Sequence, residues 1–231
     1  MSQKINHKEG LVVFIGHYSA ALALKSVDSK ISLGWLFIGV QLVDIVFFPL
    51  AYLGIEKFNI IPNFTESTHF ELEFMPYTHG LIGSIVWALL AYFLYQLIAA
   101  KTPNRNKLAG LMGLAVLSHW FLDLLMHTPD LPLLGDDSLK LGFGLWNNAE
   151  MTFIIEAILI LAALWLYLRS TTSGSSAGKF AMLSFVMVLI FINIVNVFGP
   201  PPDSKIEVIL SAMTAYFIFA GIAFWLDKKR I

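Results

Sequence analysis

Apolar residues fall in long runs separated by short polar loops, and the runs predict membrane-spanning helices. Seven stretches qualify: Leu11–Val27, Leu33–Ile55, Tyr77–Ala100, Leu108–His127, Leu145–Leu168, Phe180–Phe198 and Val208–Leu226. A helix needs roughly 17–25 mainly apolar residues to cross the hydrocarbon. The first stretch is the weakest, being short and interrupted by His17, Tyr18 and Ser19. Lys4 and Lys8 ahead of it, with Ala21-Leu22-Ala23 inside it, also read as a signal peptide. A first helix lying in the interface, followed by six full spans, is the other arrangement. The sixth run ends at Gly199-Pro200-Pro201-Pro202, because proline cannot continue a helix. Ser170 to Gly178 reads as a flexible loop. Between the second and third runs, His69, Glu71 and Glu73 alternate with Phe70, Leu72 and Phe74. That period of two predicts an extended, half-buried segment lying over the helix ends.

Composition supports this reading. The 231 residues are 57% apolar and 13% charged, with a mean hydropathy of +0.72; soluble domains carry about 25% charged residues. The expected fold class is all-α, a polytopic membrane bundle of six to seven helices forming a single transmembrane domain over 1–231. A candidate metal-site core spans 11–169, and two further helices span 180–226. A net charge of −1 offers no basic face for nucleic acid. The absence of cysteine excludes disulfides and thiolate metal sites. The loops alternate in charge. Lys101, Arg105 and Lys107 occupy one, Arg169 and Lys179 flank another, and Lys228, Lys229 and Arg230 end the chain; acidic loops carry Glu56, Glu66, Glu71 and Glu73, then Asp130, Asp136 and Asp137, then Asp203 and Glu207. Basic loops are expected on the cytoplasmic side, which puts the C-terminus inside.

The costliest residues in these runs form a pattern. His119, Asp123 and His127 follow one another at spacings of four. On a helix that spacing drifts only ~40° and rises ~6 Å, so the three stack on one face. A charge in an apolar span costs roughly 2.5–3.5 kcal/mol on the insertion scale unless something compensates it. Threading the runs alternately through the membrane gives the stripe company. His17 and His79 fall in the outer half, Asp44 near the midplane, Asp130 just past the end of the stripe, and Glu156 roughly 9 Å below Glu150 on the fifth run. Singly, some of these have structural explanations: a helix–helix hydrogen bond for His17, a protonated Asp44 bonded to Gln41 or Ser84, a helix cap for Glu150. Together they put several carboxylates in a membrane with no Lys or Arg at a span centre, and a cation is the cheapest way to neutralise them. His nitrogen and carboxylate oxygen favour zinc, with manganese or iron as alternatives. The reading requires His79 to lie beside Asp123.

From Gly16 to Arg169 the sequence resembles the bacterial membrane-bound metal-dependent hydrolases of the YdjM type, LexA-regulated inner-membrane proteins. The resemblance is carried by Gly16-His17, Asp44, Pro76-Tyr77-Thr78-His79-Gly80, Ser118-His119-Trp120 with Asp123, His127 and Pro129-Asp130, then Gly142-x-Gly144-Leu145-Trp146-Asn147 and Glu156. Many relatives read Ser-His-Ser where this chain has Thr78-His79-Gly80. A remoter likeness runs to zinc-dependent phospholipase C proteins. The resemblance implies a metal site, a hydrolase and a bacterial inner membrane; it names no substrate. With it, His17, Asp44, His79, His119, Asp123 and His127 are the expected ligands of one or two divalent ions near the outer face. Asp130 is expected as a ligand or general base, and Glu156 as a base or an orienter of a histidine. A lipid or lipid-like phosphoester or ester, held by the bilayer, is the expected substrate. The rival readings are a proton or divalent-cation transporter, a haem or quinone electron carrier, and a non-catalytic membrane protein.

Overall fold

The computed structural model describes residues 15–174 and 176–230. Lys4, His7, Lys8 and the start of the first expected span lie outside the described residues. Eight α-helices and two small hairpins make up the described structure. Five helices are long and apolar enough to cross a membrane: α4 (Leu81–Ile98), α5 (Arg105–Met126), the Phe180–Phe198 part of α7 (Ser176–Phe198), α6 (Ala149–Ser170) and α8 (Lys205–Asp227). The second expected span is instead a bent pair, α2 (Leu33–Val40) and α3 (Leu42–Tyr52), which makes a sixth if counted as one. The first helix, α1 (Gly16–Val27), has twelve described residues. At 1.5 Å per residue it covers about 18 Å, short of a bilayer core. It is packed inside the bundle against α6, α2 and α5.

The bend of 47° falls at Gln41, whose φ −109°, ψ 5° is not helical. No proline or glycine pair marks the spot in the sequence. The cause lies in packing. Gly39 lets α2 approach α5 so closely that a Cβ there would lie 2.7 Å from the Met112 sulfur and 3.3 Å from the Ala115 Cβ. That approach brings the Val40 carbonyl within 2.7 Å of His119 Nδ1 on α5. The chain then restarts as α3, with Asp44 in its first turn, where the positive end of the helix dipole favours a carboxylate.

Two other expected starts shift for local reasons. The third span begins at Leu81 rather than Tyr77, so His79 stands in a loop just before α4. The fully buried Glu56 grips that loop, accepting from the Tyr77 and Thr78 backbone N–H groups at 2.9 and 3.0 Å. The fifth begins at Ala149 because Asn148 caps it, its side chain accepting from Met151 N at 2.9 Å; Leu145–Asn147 form a 3-10 turn ahead of it. The alternating segment does form a strand. Antiparallel β1 (Lys57–Ile60) and β2 (Phe70–Phe74) make a hairpin, with Asn59 opposite Glu71 and Ile60 opposite Phe70. A shorter pair, β3 (Leu131–Pro132) and β4 (Lys140–Leu141), follows α5.

The bundle has two dissimilar ends. At one, Lys25 reaches Asp227 (2.5 Å) and the Ser29 and Ile31 carbonyls (both 2.7 Å). Nearby the guanidinium of Arg230 donates to Thr171 Oγ1, Thr171 O and Gly178 O, tying the α6–α7 connection to the end of α8. At the other end lie the hairpins and the buried histidines.

Candidate metal centre

Four elements deliver the cluster. His17 comes from α1, Asp44 from α3, His79 from the loop before α4, and His119 and Asp123 from α5. His127 caps α5, with its N–H bonded to Asp123 O at 2.8 Å; Pro129, two residues on, disfavours a further helical turn. All six side chains are buried.

The two carboxylates sit at the centre. His17 Nε2 lies 3.2 Å and His127 Nε2 3.7 Å from Asp123 Oδ1; His119 Nε2 lies 3.2 Å and His79 Nε2 3.9 Å from Asp123 Oδ2. Asp44 Oδ1 is 3.2 Å from His79 Nε2 and 3.6 Å from His119 Nε2. His79 therefore does stand beside Asp123, as the sequence reading required. Asp44 does not pair with Gln41 or Ser84; its second oxygen accepts from the Tyr216 hydroxyl at 2.8 Å, from α8. His17 and His119 stack at 3.9 Å with only 6° between their rings.

The outward nitrogens fix the inward ones. A carbonyl can only accept, so His119 Nδ1 carries the proton it gives to Val40 O, and its Nε2 in the neutral ring is a bare lone pair. His127 Nδ1 likewise gives its proton to Asp130 Oδ1 at 2.8 Å. The Thr78 hydroxyl gives its own proton to Glu56 Oε2 at 2.7 Å, so at 2.9 Å from His79 Nδ1 it acts as acceptor. Three imidazoles thus point acceptor nitrogens at two acceptor carboxylates. Protonating His79, His119 and His127 would relieve this only by gathering three imidazolium charges in one buried cluster, those of His79 and His119 with ring centroids 5.5 Å apart. A cation resolves the conflict with the rings neutral.

Spacing agrees. Ligands ~2.1 Å from a tetrahedral ion stand ~3.4 Å apart, longer than the ~2.9 Å of a direct hydrogen bond. The N···O separations of 3.2, 3.2, 3.6 and 3.7 Å around His17, His119, His127 and the two carboxylates fall on that scale. Two sets of potential ligand atoms, each within 4.8 Å of one another, overlap at His119: His17, His119 and Asp123, and Asp44, His79 and His119. The residues present therefore fit a divalent metal, and the tethered Nδ1 atoms are the usual way such ligands are oriented.

Asp130 and Glu156 stand one step back. Asp130 touches the outer nitrogen of His127 and accepts from Thr128 Oγ1 at 3.0 Å. Glu156 accepts from Gly16 N at 3.2 Å and from Asn193 Nδ2 at 2.8 Å, holding the first turn of α1 next to His17 rather than a histidine ring. A side chain at Gly16 would meet Glu156 Oε1 at 2.9 Å, so glycine makes room for this contact. His69 turns away, its ring between Asn63 N and Gly199 O; Glu150 is exposed. Sequence reasoning missed three contributors. Glu56 read as a loop charge, Tyr216 lay beyond the resembling region, and Trp146, whose ring lies 4.1 Å from that of His127, read only as part of a Gly-Leu-Trp motif.

The cluster opens into a cavity of about 40 Å³ walled by Phe47, Phe48, Phe58, Phe70, Leu72 and Val208. Hairpin residues Phe58, Phe70 and Leu72 form its lid. No Lys or Arg lines it among the described residues. The chain matches no protein-family model, no curated protein and no solved structure. Function is therefore argued from this geometry.

Proposed function

We propose that the protein is a membrane-embedded, metal-dependent hydrolase acting on a phosphoester or ester of a lipid substrate, with zinc as its first candidate metal. The observation that carries the reading is the convergence of three outward-tethered histidines on two buried carboxylates that no Lys or Arg neutralises. His17, Asp44, His79, His119, Asp123 and His127 would hold one ion or two. When bound there, the metal supplies hydroxide from water near neutral pH and an electrophile for a phosphoryl or acyl oxygen.

The chain's own residues do the rest. Asp130 fixes the ring of His127, and Glu56 through Thr78 fixes that of His79. Tyr216 occupies Asp44 Oδ2 and leaves Oδ1 facing the histidines. The phenylalanine walls keep bulk water from the carboxylates and suit acyl or prenyl chains. A cavity of about 40 Å³ accommodates a few waters or a scissile group, not a whole lipid. The resemblance to the YdjM-type hydrolases supports the same reaction class and a bacterial inner membrane, and the alternating loop charge supports an orientation with the hairpin end outward.

The test is turnover of a panel of lipid phosphomonoesters, phosphodiesters and carboxylic esters by purified protein. Chelation is expected to abolish hydrolysis of one class, added zinc or manganese to restore it, and His119→Ala or Asp123→Ala to remove it even with metal present. Hydrolysis indifferent to chelator and to both substitutions would refute the proposal.

A further inference from the structure

A second pocket adjoins the ion cavity at the hairpin end. It has a volume of about 340 Å³ and lies between the end of α3, β1 and the start of α8; Phe58 lines both spaces. Two cations face into it, Lys57 from β1 and Lys205 from α8, both exposed to water. Lysines are scarce at this end, where the loops are mostly acidic. The third one among the described residues, Lys140, is neutralised by Asp136 at 2.8 Å. Lys205 turns instead to a neutral group, Asn59 Oδ1 at 3.0 Å, with its ammonium 5.5 Å from the centre of the Phe58 ring. Among the described residues, neither carboxylate of the pocket is paired with an ammonium. Glu56 accepts from Tyr77 N, Thr78 N and Thr78 Oγ1, and Glu73 Oε2 accepts from Asn59 Nδ2 at 3.0 Å. Each ammonium has three N–H donors, so the pocket holds more donors than its own acceptors use.

We propose that this pocket is an anion subsite, in which Lys57 and Lys205 bind a phosphate or carboxylate group carried by the substrate in addition to the bond that is cleaved. Its role as a substrate subsite rests on the hydrolase reading. The ion cavity has room only for the scissile group, so the remainder of a headgroup lies outside it, and the space next to it across Phe58 is this pocket. An exposed Tyr52 at its rim puts it at the level where membrane meets water. The substrate class thereby narrows to lipids with a second anion, such as a diphosphate or a headgroup bearing a carboxylate or a distal phosphate.

The subsite is tested first without turnover, by calorimetric titration of inorganic pyrophosphate into the full-length, chelator-treated protein in detergent. Wild type and Asp123→Asn are expected to bind alike, and Lys57→Gln combined with Lys205→Gln to bind about ten-fold more weakly or worse, the scale of losing a charged hydrogen bond. Absence of binding to wild type, or equal binding by the lysine variant, would overturn the subsite. In turnover, the lysine variant is expected to raise KM for lipids with a second anion at unchanged kcat, and to leave singly anionic lipids alone. Chelator-sensitive turnover with no such KM change refutes the subsite and spares the hydrolase. Lysine-dependent pyrophosphate binding by a protein that hydrolyses no lipid refutes the hydrolase and spares the anion site.

Discussion

The two ends of the bundle bury charge by opposite means. At the end near α8's C-terminus the chain supplies both signs: Lys25 meets Asp227, and Arg230 satisfies carbonyls of the α6–α7 connection. At the hairpin end Asp44 and Asp123 are as deeply placed, yet apart from the Tyr216 hydroxyl on Asp44 they meet only histidines, three of which have committed their protons outward. At one end the chain supplies both signs itself; at the other the ligand set could hold a divalent cation. Buried charge alone therefore does not mark a functional site. The mark is buried charge whose compensation the chain does not itself provide.

That contrast makes different substitutions fail in different ways. The largest effect on folding is expected at the self-sufficient end. Lys25→Met leaves Asp227 without its cation, and breaking a buried pair from one side costs about 3–5 kcal/mol, here nearer the lower figure because the Asp227 side chain is 18% exposed. Thermal unfolding in detergent should show the loss, with metal content unchanged; a metal-depleted but stable variant would break the comparison. At the hairpin end the matching changes spare the fold and weaken the ion. Asp130→Asn and Glu56→Gln each remove the anionic anchor of a histidine, and loss of such support typically costs 10–100-fold in metal affinity. Competition with a chelator of known affinity measures it; wild-type affinity in both variants would show that the tethers are incidental. The smallest effect is expected at Lys107, which pairs at 2.8 Å, from the first turn of α5, with Asp28 in the α1–α2 connection. The ammonium of Lys107 holds the Asp28 carboxyl below the usual aspartate range. A lowered folded-state value means the stabilisation is present at neutral pH and is lost as pH falls through the acid range. The Lys107 side chain is 52% exposed, so Lys107→Ala should cost under about 1 kcal/mol and flatten that pH dependence slightly.

Much of the site was legible because membrane cost concentrates the signal. His119 and Asp123 announce themselves as polar groups four apart on an apolar helix, and loop charge was enough to put His17 and His79 in the same half of the membrane, with Asp44 near the midplane. What stayed hidden depends on packing. The bend at Gln41 has no breaker residue; it follows from Gly39 pressing against α5, and it creates the Val40 contact of His119. Glu56 has the composition of a loop acid and becomes a fully buried anchor only because its loop folds under Thr78. Tyr216 stands 172 positions from the aspartate it meets. The first run was ambiguous for a different reason: an apolar run signals burial whether lipid or protein covers it, and the described part of α1 is covered largely by α2, α5 and α6.

The central claim is that the hairpin end is a cation site, and elemental analysis of purified protein measures it most directly. Wild type is expected to carry one or two divalent ions per chain, zinc foremost, that Asp123→Asn loses while keeping its fold. A well-folded wild type that holds no metal, and binds none when zinc, manganese or iron is supplied, would contradict the account.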